Sequence, residues 1–398
     1  MKKITVGLLC LFLVITTALT TFFVTTTILV QGEQKLVTES RELQAKYQDL
    51  EDLKRYIREN YYKEVSDEML MEGAKKGLFQ ILGDPYSVFM NEEEFKSFVE
   101  SSSGRFPGIG VHITPNPERG IEIIAPIEDT PAFAAGLKPL DIIRAVNGVP
   151  YTHAEMDVAI KQIKGEPGTD VTLTIYRKET EETFDVVITR AWIDVKVVKS
   201  RMIEDGIGYL KLTSFDNGSA AEFRAHFEGL LEQGAKGVVI DLRNNPGGSL
   251  NQCVEIADYL LPKGLIVYTE GRTPDTNNKY YSDAQHVEAE IVLLVNEGSA
   301  SASEIVTGAV KDHGRGKIIG TKTFGKGIVQ TYRPFGNSGL KLTTSEYFTP
   351  NGINIHGLGI EADIVVEASE AFKTTREPKD EDDNQLQRAL EELRQQIR

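Results

Sequence analysis

The first apolar pattern in the chain is unbroken. From Ile4 to Val30 no side chain is charged, and Leu8, Leu9, Leu11, Phe12, Leu13, Val14 and Ile15 crowd its first half. A helix of that length spans a bilayer. Lys2 and Lys3 precede it and favour a cytoplasmic start, which puts everything after Gln31 outside the cytoplasm. A cleaved leader is the alternative, but the run is long and shows no small-residue cleavage site. Segment 1–30 is therefore read as a single transmembrane anchor, and the protein as a single-pass membrane protein with an extracytoplasmic body.

Segment 31–95 is charged and helically periodic, with Leu50, Leu53, Tyr56, Ile57 and Tyr61, then Met69, Leu70, Ala74, Leu78 and Leu82. Gly83 and Pro85 end it. A helical stalk and a dimerising arm fit this pattern equally. Segment 96–190 changes to short β-type runs between glycine turns, such as Gly110 to Ile113, Gly120 to Ile124, Asp141 to Asn147 and Val171 to Tyr176. One helix, His153 to Lys164, interrupts this small β-rich domain. Segment 191–370 alternates strand and helix: a strand at Gly208 to Leu212, a helix over Ala220 to Leu231, a buried strand Gly237 to Asp241, a helix over Leu250 to Leu261, then the strand Ile291 to Val295. Such alternation predicts a mainly parallel α/β sheet. In segment 371–398, Leu386, Leu390 and Leu393 mark a last helix, packed on the body or on a second subunit.

Charge narrows the partners. The 398 residues carry a formal net charge of -15, which opposes the clustered positive potential of nucleic-acid binding. Of the two cysteines, Cys10 lies in the apolar run and Cys253 falls at helical spacing among Leu250, Val254, Ala257 and Leu260, so no internal disulfide is expected. The six histidines include no pair at metal-ligand spacing on one helix, and neither a metal nor another cofactor is expected.

The chemistry concentrates at three places. GSASASE (298–304) lies between a buried strand and an amphipathic stretch, so Ser301 sits at a strand-to-helix turn, where backbone amides can bind an oxyanion. Serine is also an ordinary helix cap. FGKGIVQ (324–330) leads into a β-type run, and alternation would put Lys326 and Gln330 on one face. A lysine becomes a base when burial lowers its pKa, but a surface lysine in a glycine turn has the same local sequence. DLRNNPGG (241–248) closes a buried strand with Gly247 and Gly248, whose amides serve either an oxyanion or a plain turn. Gly320 to Lys326 matches the start of a phosphate-binding loop, but Gly327 stands where serine or threonine is needed, and the next residues are strand-like. His313 and His356 remain candidates for pairing with a serine.

Together these three motifs, in this order, resemble the bacterial carboxyl-terminal processing proteases, the tail-specific peptidases with a Ser-Lys dyad. The resemblance covers nearly all of the chain after the anchor. It implies a crotonase/ClpP-like α/β core, with Ser301 as nucleophile, Lys326 as general base and Gln330 orienting the lysine. It implies oxyanion donors at Ala302 and at either Gly247 or Gly248. Residues 96–190 resemble a bacterial PDZ domain, inserted before the core. There Gly108, Ile109, Gly110 and Val111 would receive a peptide carboxylate, and the peptide would add a strand along Val111, His112 and Ile113. The resemblance further implies protein substrates with exposed C-terminal tails, a homodimer through the terminal helical segments, and an active site gated by PDZ ligand. A membrane-tethered PDZ peptide-binding scaffold with a silent protease core is the alternative.

Overall fold

The computed structural model describes residues 2–102, 104–118, 120–127, 129–370, 372 and 379–397, and within these it leaves out the side chains of 2–12, 14, 28–43, 46 and 101–102. The chain divides into two compact units, Met1–Gly83 and Asp84–Arg398. In the first, α1 (Lys2–Asn60) is followed by α2 (Asp67–Gln80), which Ser66 caps by accepting the Met69 amide. Lys54, buried between them, pairs with Glu51 at 3.0 Å and Asp67 at 2.9 Å. Among the described residues no helix is long and apolar enough to cross a membrane. The run 4–30 expected to do so lies in part outside the described side chains.

The second unit opens with β1 (Val88–Met90), α3 (Glu92–Ser102) and β2 (Arg105–Gly108). The small β domain comes next as β3 (Val111–Asn116), β4 (Gly120–Pro126), α4 (Pro131–Ala134), β5 (Ile142–Val146), β6 (Val149–Pro150), α5 (Met156–Ile163), β7 (Asp170–Arg177) and β8 (Glu182–Thr189). The helix expected over 153–164 is divided, because His153–Glu155 forms a separate 3-10 turn. The sheet is antiparallel in the order β3-β4-β5-β7-β8, with β6 on β5. Its inward positions bury Ile121, Ile123, Val171, Leu173 and Ile175, as the period-two pattern demands. β9 (Ala191–Asp194) returns antiparallel to β2, pairing Arg105 with Asp194 and Gly108 with Ala191. The domain is thus closed at its neck, and among the described strands β3 pairs on one side only, leaving an edge.

The α/β core comprises β10 (Val198–Glu204), β11 (Ile207–Leu212), α6 (Ser219–Glu232), β12 (Gly237–Asp241), α7 (Leu250–Leu260), β13 (Gly264–Gly271) and β14 (Lys279–Ser282). It continues through β15 (Glu290–Val295), α8 (Ala302–Asp312), β16 (Gly316–Gly320), β17 (Ile328–Phe335), β18 (Ser338–Phe348), β19 (Ile364–Val365) and α9 (Asn384–Gln396). The main sheet runs β10-β11-β12-β15-β16-β19 and is parallel from β11 onward. β12 is buried at every residue, which accounts for its unbroken apolar sequence. On one face Phe223, Phe227, Ile256 and Val306, from α6, α7 and α8, meet Leu210, Val238, Ile240 and Leu293. On the other, Leu386, Leu390 and Leu393 of α9 cover Ile207, Val239 and Val292. A second sheet orders β1-β18-β13-β14 and adds β17 beside β18.

A buried ion network fixes α9. The Arg243 guanidinium, 5% exposed, reaches Asp241 and Asp383 at 2.7 Å each and Gln385 at 2.9 Å. The last helix therefore packs on its own body.

Candidate active site

β15 ends at Val295, and the succeeding turn delivers Ser301 to the start of α8. Ser301 has φ 54° and ψ −112°, a region that costs an L-residue energy and that surrounding contacts must impose. Asn245, fully buried, imposes part of it: its carbonyl accepts the Ala300 amide at 3.0 Å and the Ser303 hydroxyl at 2.9 Å. Ala302 is the first helical residue, and among the described residues its amide has no hydrogen-bond partner, as expected for an amide in the first turn.

The glycine loop lies against this turn. A Cβ on Gly247 would stand 2.7 Å from the Ala300 carbonyl and 2.9 Å from both the Ala302 nitrogen and the Ser301 Cβ, so only glycine fits. The two glycines, equivalent in the sequence, differ in the fold. The Gly247 amide donates to Asn245 Oδ1 at 2.9 Å, whereas the Gly248 amide has no partner among the described residues. Two unengaged amides, of Ala302 and Gly248, thus lie on the two segments that meet beside Ser301.

Lys326 arrives from a different direction. The expected common strand face for Lys326 and Gln330 is not observed. β17 begins only at Ile328, and its ladder with β18 shifts register between Val329 and Gln330, so strand alternation does not relate the two side chains. The Lys326 amine lies 4.6 Å from the centroid of the Tyr86 ring and forms no hydrogen bond with Ser301. Burial lowers its pKa and the Lys341 charge lowers it further, against the opposing pull of Asp84 and Glu304. Gln330 carries a buried amide nitrogen without a partner among the described residues. It lines a cleft of about 890 Å³, walled by Phe95, Phe98 and Val99 of α3, Phe215, the two glycines and Tyr332.

Glu304 and Tyr347 were not singled out by sequence reasoning. Glu304 is fully buried, and its carboxylate accepts from the amides of Ser301, Gly325 and Lys326 and the Thr323 hydroxyl at 2.6 to 2.9 Å. The Tyr347 hydroxyl, on β18, meets the carbonyls of both Ser301 and Lys326. Burial pushes its phenol well above the ordinary value, so it remains a donor. A glutamate placed three residues after a helix-capping serine was the one available signal for Glu304. For Tyr347 the sequence offered none.

The other candidates lie elsewhere. His313 Nε2 is 2.8 Å from the Leu265 carbonyl, and neither His313 nor His356 hydrogen-bonds Ser301. Among the described residues, no group of His, Cys, Asp and Glu is arranged to hold a metal ion. The stretch 320–326 leads into β17 and not into a helix. In the β domain, Gly108 ends β2, Ile109 is buried and Gly110 has φ 79°. A Cβ at Gly110 would stand 2.4 Å from Thr130, and Val111, His112 and Ile113 begin the edge strand β3.

Comparison with known proteins identifies families that this chain matches. The model of peptidase family S41 matches residues 206–366, that of the PDZ domain 107–188, and that of the activating protease CtpB N-terminal domain 13–94. A carboxy-terminal-processing protease of Bartonella bacilliformis is 40% identical over 323 residues, 79% of this chain and 74% of that one. A protein of Staphylococcus aureus named "Probable CtpA-like serine protease" is 36% identical over 359 residues, 89% of this chain and 72% of that one. A solved structure described as a "Putative S41 protease" from Bacteroides fragilis shares the fold, with a TM-score of 0.52 at 16% identity over 87% of this chain and 97% of that one.

Proposed function

Since this chain belongs to peptidase family S41, as a carboxy-terminal-processing serine protease with a PDZ domain, we propose that it cuts peptide bonds with Ser301 as nucleophile and Lys326 as general base. Neutral Lys326 takes the Ser301 hydroxyl proton as the oxygen attacks the scissile carbonyl, and returns it to the leaving amine. The amides of Ala302 and Gly248 receive the oxyanion. Water then hydrolyses the acyl-enzyme, again with Lys326 as base. Gln330 orients the lysine by accepting from its amine through the side-chain carbonyl oxygen.

One observation carries this reading. A single Glu304 carboxylate oxygen binds the amides of both Ser301 and Lys326, at 2.9 and 2.8 Å, and so brings two distant segments to one point. Substrate tails dock as an added strand on β3, with the terminal carboxylate at Gly108 to Val111. The apolar run 4–30 anchors the chain, the body lies outside the cytoplasm, and two copies associate through their terminal helical segments.

The test is cleavage of an unfolded protein with an apolar C-terminus by the full chain and by its Ser301→Ala and Lys326→Ala variants, with fragments read by mass spectrometry. Cleavage only by the wild type supports the dyad. Equal cleavage by either variant overturns that residue's role.

A further inference from the structure

We propose that Glu304 and Tyr347 are positioning residues that lock the Ser301 turn to the Lys326 loop, so that nucleophile and base are held in register through their backbones. The inference rests on the dyad reading above and extends it.

The geometry is reciprocal. Glu304 holds the amides of both Ser301 and Lys326, and the single Tyr347 hydroxyl proton is shared between the carbonyls of the same two residues. Glu304 Oε2 takes the two amides of the dyad, and Oε1 takes the Thr323 hydroxyl at 2.6 Å and the Gly325 amide at 2.7 Å. Four donors match the four lone-pair sites of an ionised carboxylate. A helix cap requires only the Ser301 bond, and the other three bonds leave the helix for the lysine loop. Among the described residues Glu304 makes no ion pair, and a buried carboxylate is tolerated when its hydrogen bonds are met. The far side of the loop is fixed too, because the Thr323 oxygen accepts the Ile360 amide at 2.7 Å.

With both backbones pinned, Lys326 can move between the Tyr86 ring and Ser301 only by side-chain rotation. The charged and titratable groups facing its amine are Glu304, Asp84 and Lys341, with the Tyr86 ring beneath it and His356 acting on Asp84. Glu304 is therefore also a negative charge felt by the base.

The experiment compares Glu304→Gln and Tyr347→Phe with the wild-type full chain, with Lys326→Ala as control, on a quenched peptide with an apolar C-terminus. Rates are normalised to the folded fraction by circular dichroism. In Glu304→Gln an NH2 replaces one acceptor oxygen and faces backbone amides that can only donate, so at least one of the four bonds must break. Its kcat should fall by roughly 10²-fold with KM within about twofold, the size of effect expected when reacting groups are misplaced by about an ångström. The acid limb of its pH profile should also move to lower pH, because a negative charge facing Lys326 has gone. Tyr347→Phe should lower kcat by about tenfold and leave the acid limb in place. Wild-type kcat in folded Glu304→Gln, or a loss with the acid limb unmoved, overturns the proposal in favour of a merely structural carboxylate. Turnover retained in Lys326→Ala overturns the dyad itself, and is distinguishable because that control does not involve the clamp.

Discussion

The Lys326 amine stands over the Tyr86 ring, 4.6 Å from its centroid, and not on the Ser301 hydroxyl. A ring face attracts a cation by about 0.5–2 kcal/mol depending on desolvation. That attraction opposes the move to Ser301 and favours the charged form of a group that must be neutral to act as a base. Tyr86→Leu keeps an apolar neighbour but removes the ring quadrupole, and should raise kcat several-fold in steady-state assays without PDZ ligand. An unchanged or lower kcat would show that the ring is no resting seat for the base.

Lys341 controls the base through space. Its positive charge helps to hold the Lys326 pKa below the ordinary lysine value. Lys341→Ala removes a like charge, so the Lys326 pKa rises and less neutral amine is present at any given pH. The acid limb of kcat/KM should therefore move to higher pH, with the plateau rate unchanged. A pH profile superimposable on the wild type would refute the electrostatic link.

Gly247 tests how closely the loop approaches the nucleophile. Alanine there would place its Cβ within 2.9 Å of Ser301 and Ala302 backbone or Cβ atoms, at a φ of 101°. The site must shift to admit it, and displacement of about an ångström costs roughly 10²-fold in rate. A fluorophosphonate probe should accordingly label Ser301 far more slowly in Gly247→Ala, while circular dichroism stays unchanged.

The Asp241–Arg243–Asp383 network ties α9 to the end of β12 and should set stability. Burial alone would raise the Asp241 pKa, but the Arg243 charge and hydrogen bonds outweigh it and hold the carboxyl below the usual range. A carboxyl with a depressed folded pKa stabilises above its unfolded pKa, and that stabilisation is lost as pH falls through the acid range. Wild-type urea midpoints should thus drop below about pH 4. Asp383→Ala leaves Arg243 buried with one carboxylate, and should cost about 3–5 kcal/mol in urea unfolding.

Much of the architecture was set by local pattern. The apolar runs of β12 and β15, the helical periodicity of α7 and α9, and the glycine turns of the β domain each reflect a burial preference that neighbouring residues express without help from afar. The Ser301 turn was legible for the same reason, since a strand, a capping residue and a helix succeed one another directly. Tertiary structure alone decided the rest. It placed Lys326 before its strand and slipped the β17 register, so that side-chain alternation misled. It engaged the Gly247 amide with Asn245 and left that of Gly248 without a partner among the described residues. It also aimed Glu304 and Tyr347 at the same two backbones. Each of these outcomes depends on which groups from remote segments meet in a buried space, where every donor needs an acceptor, and periodicity along the chain carries no record of such meetings.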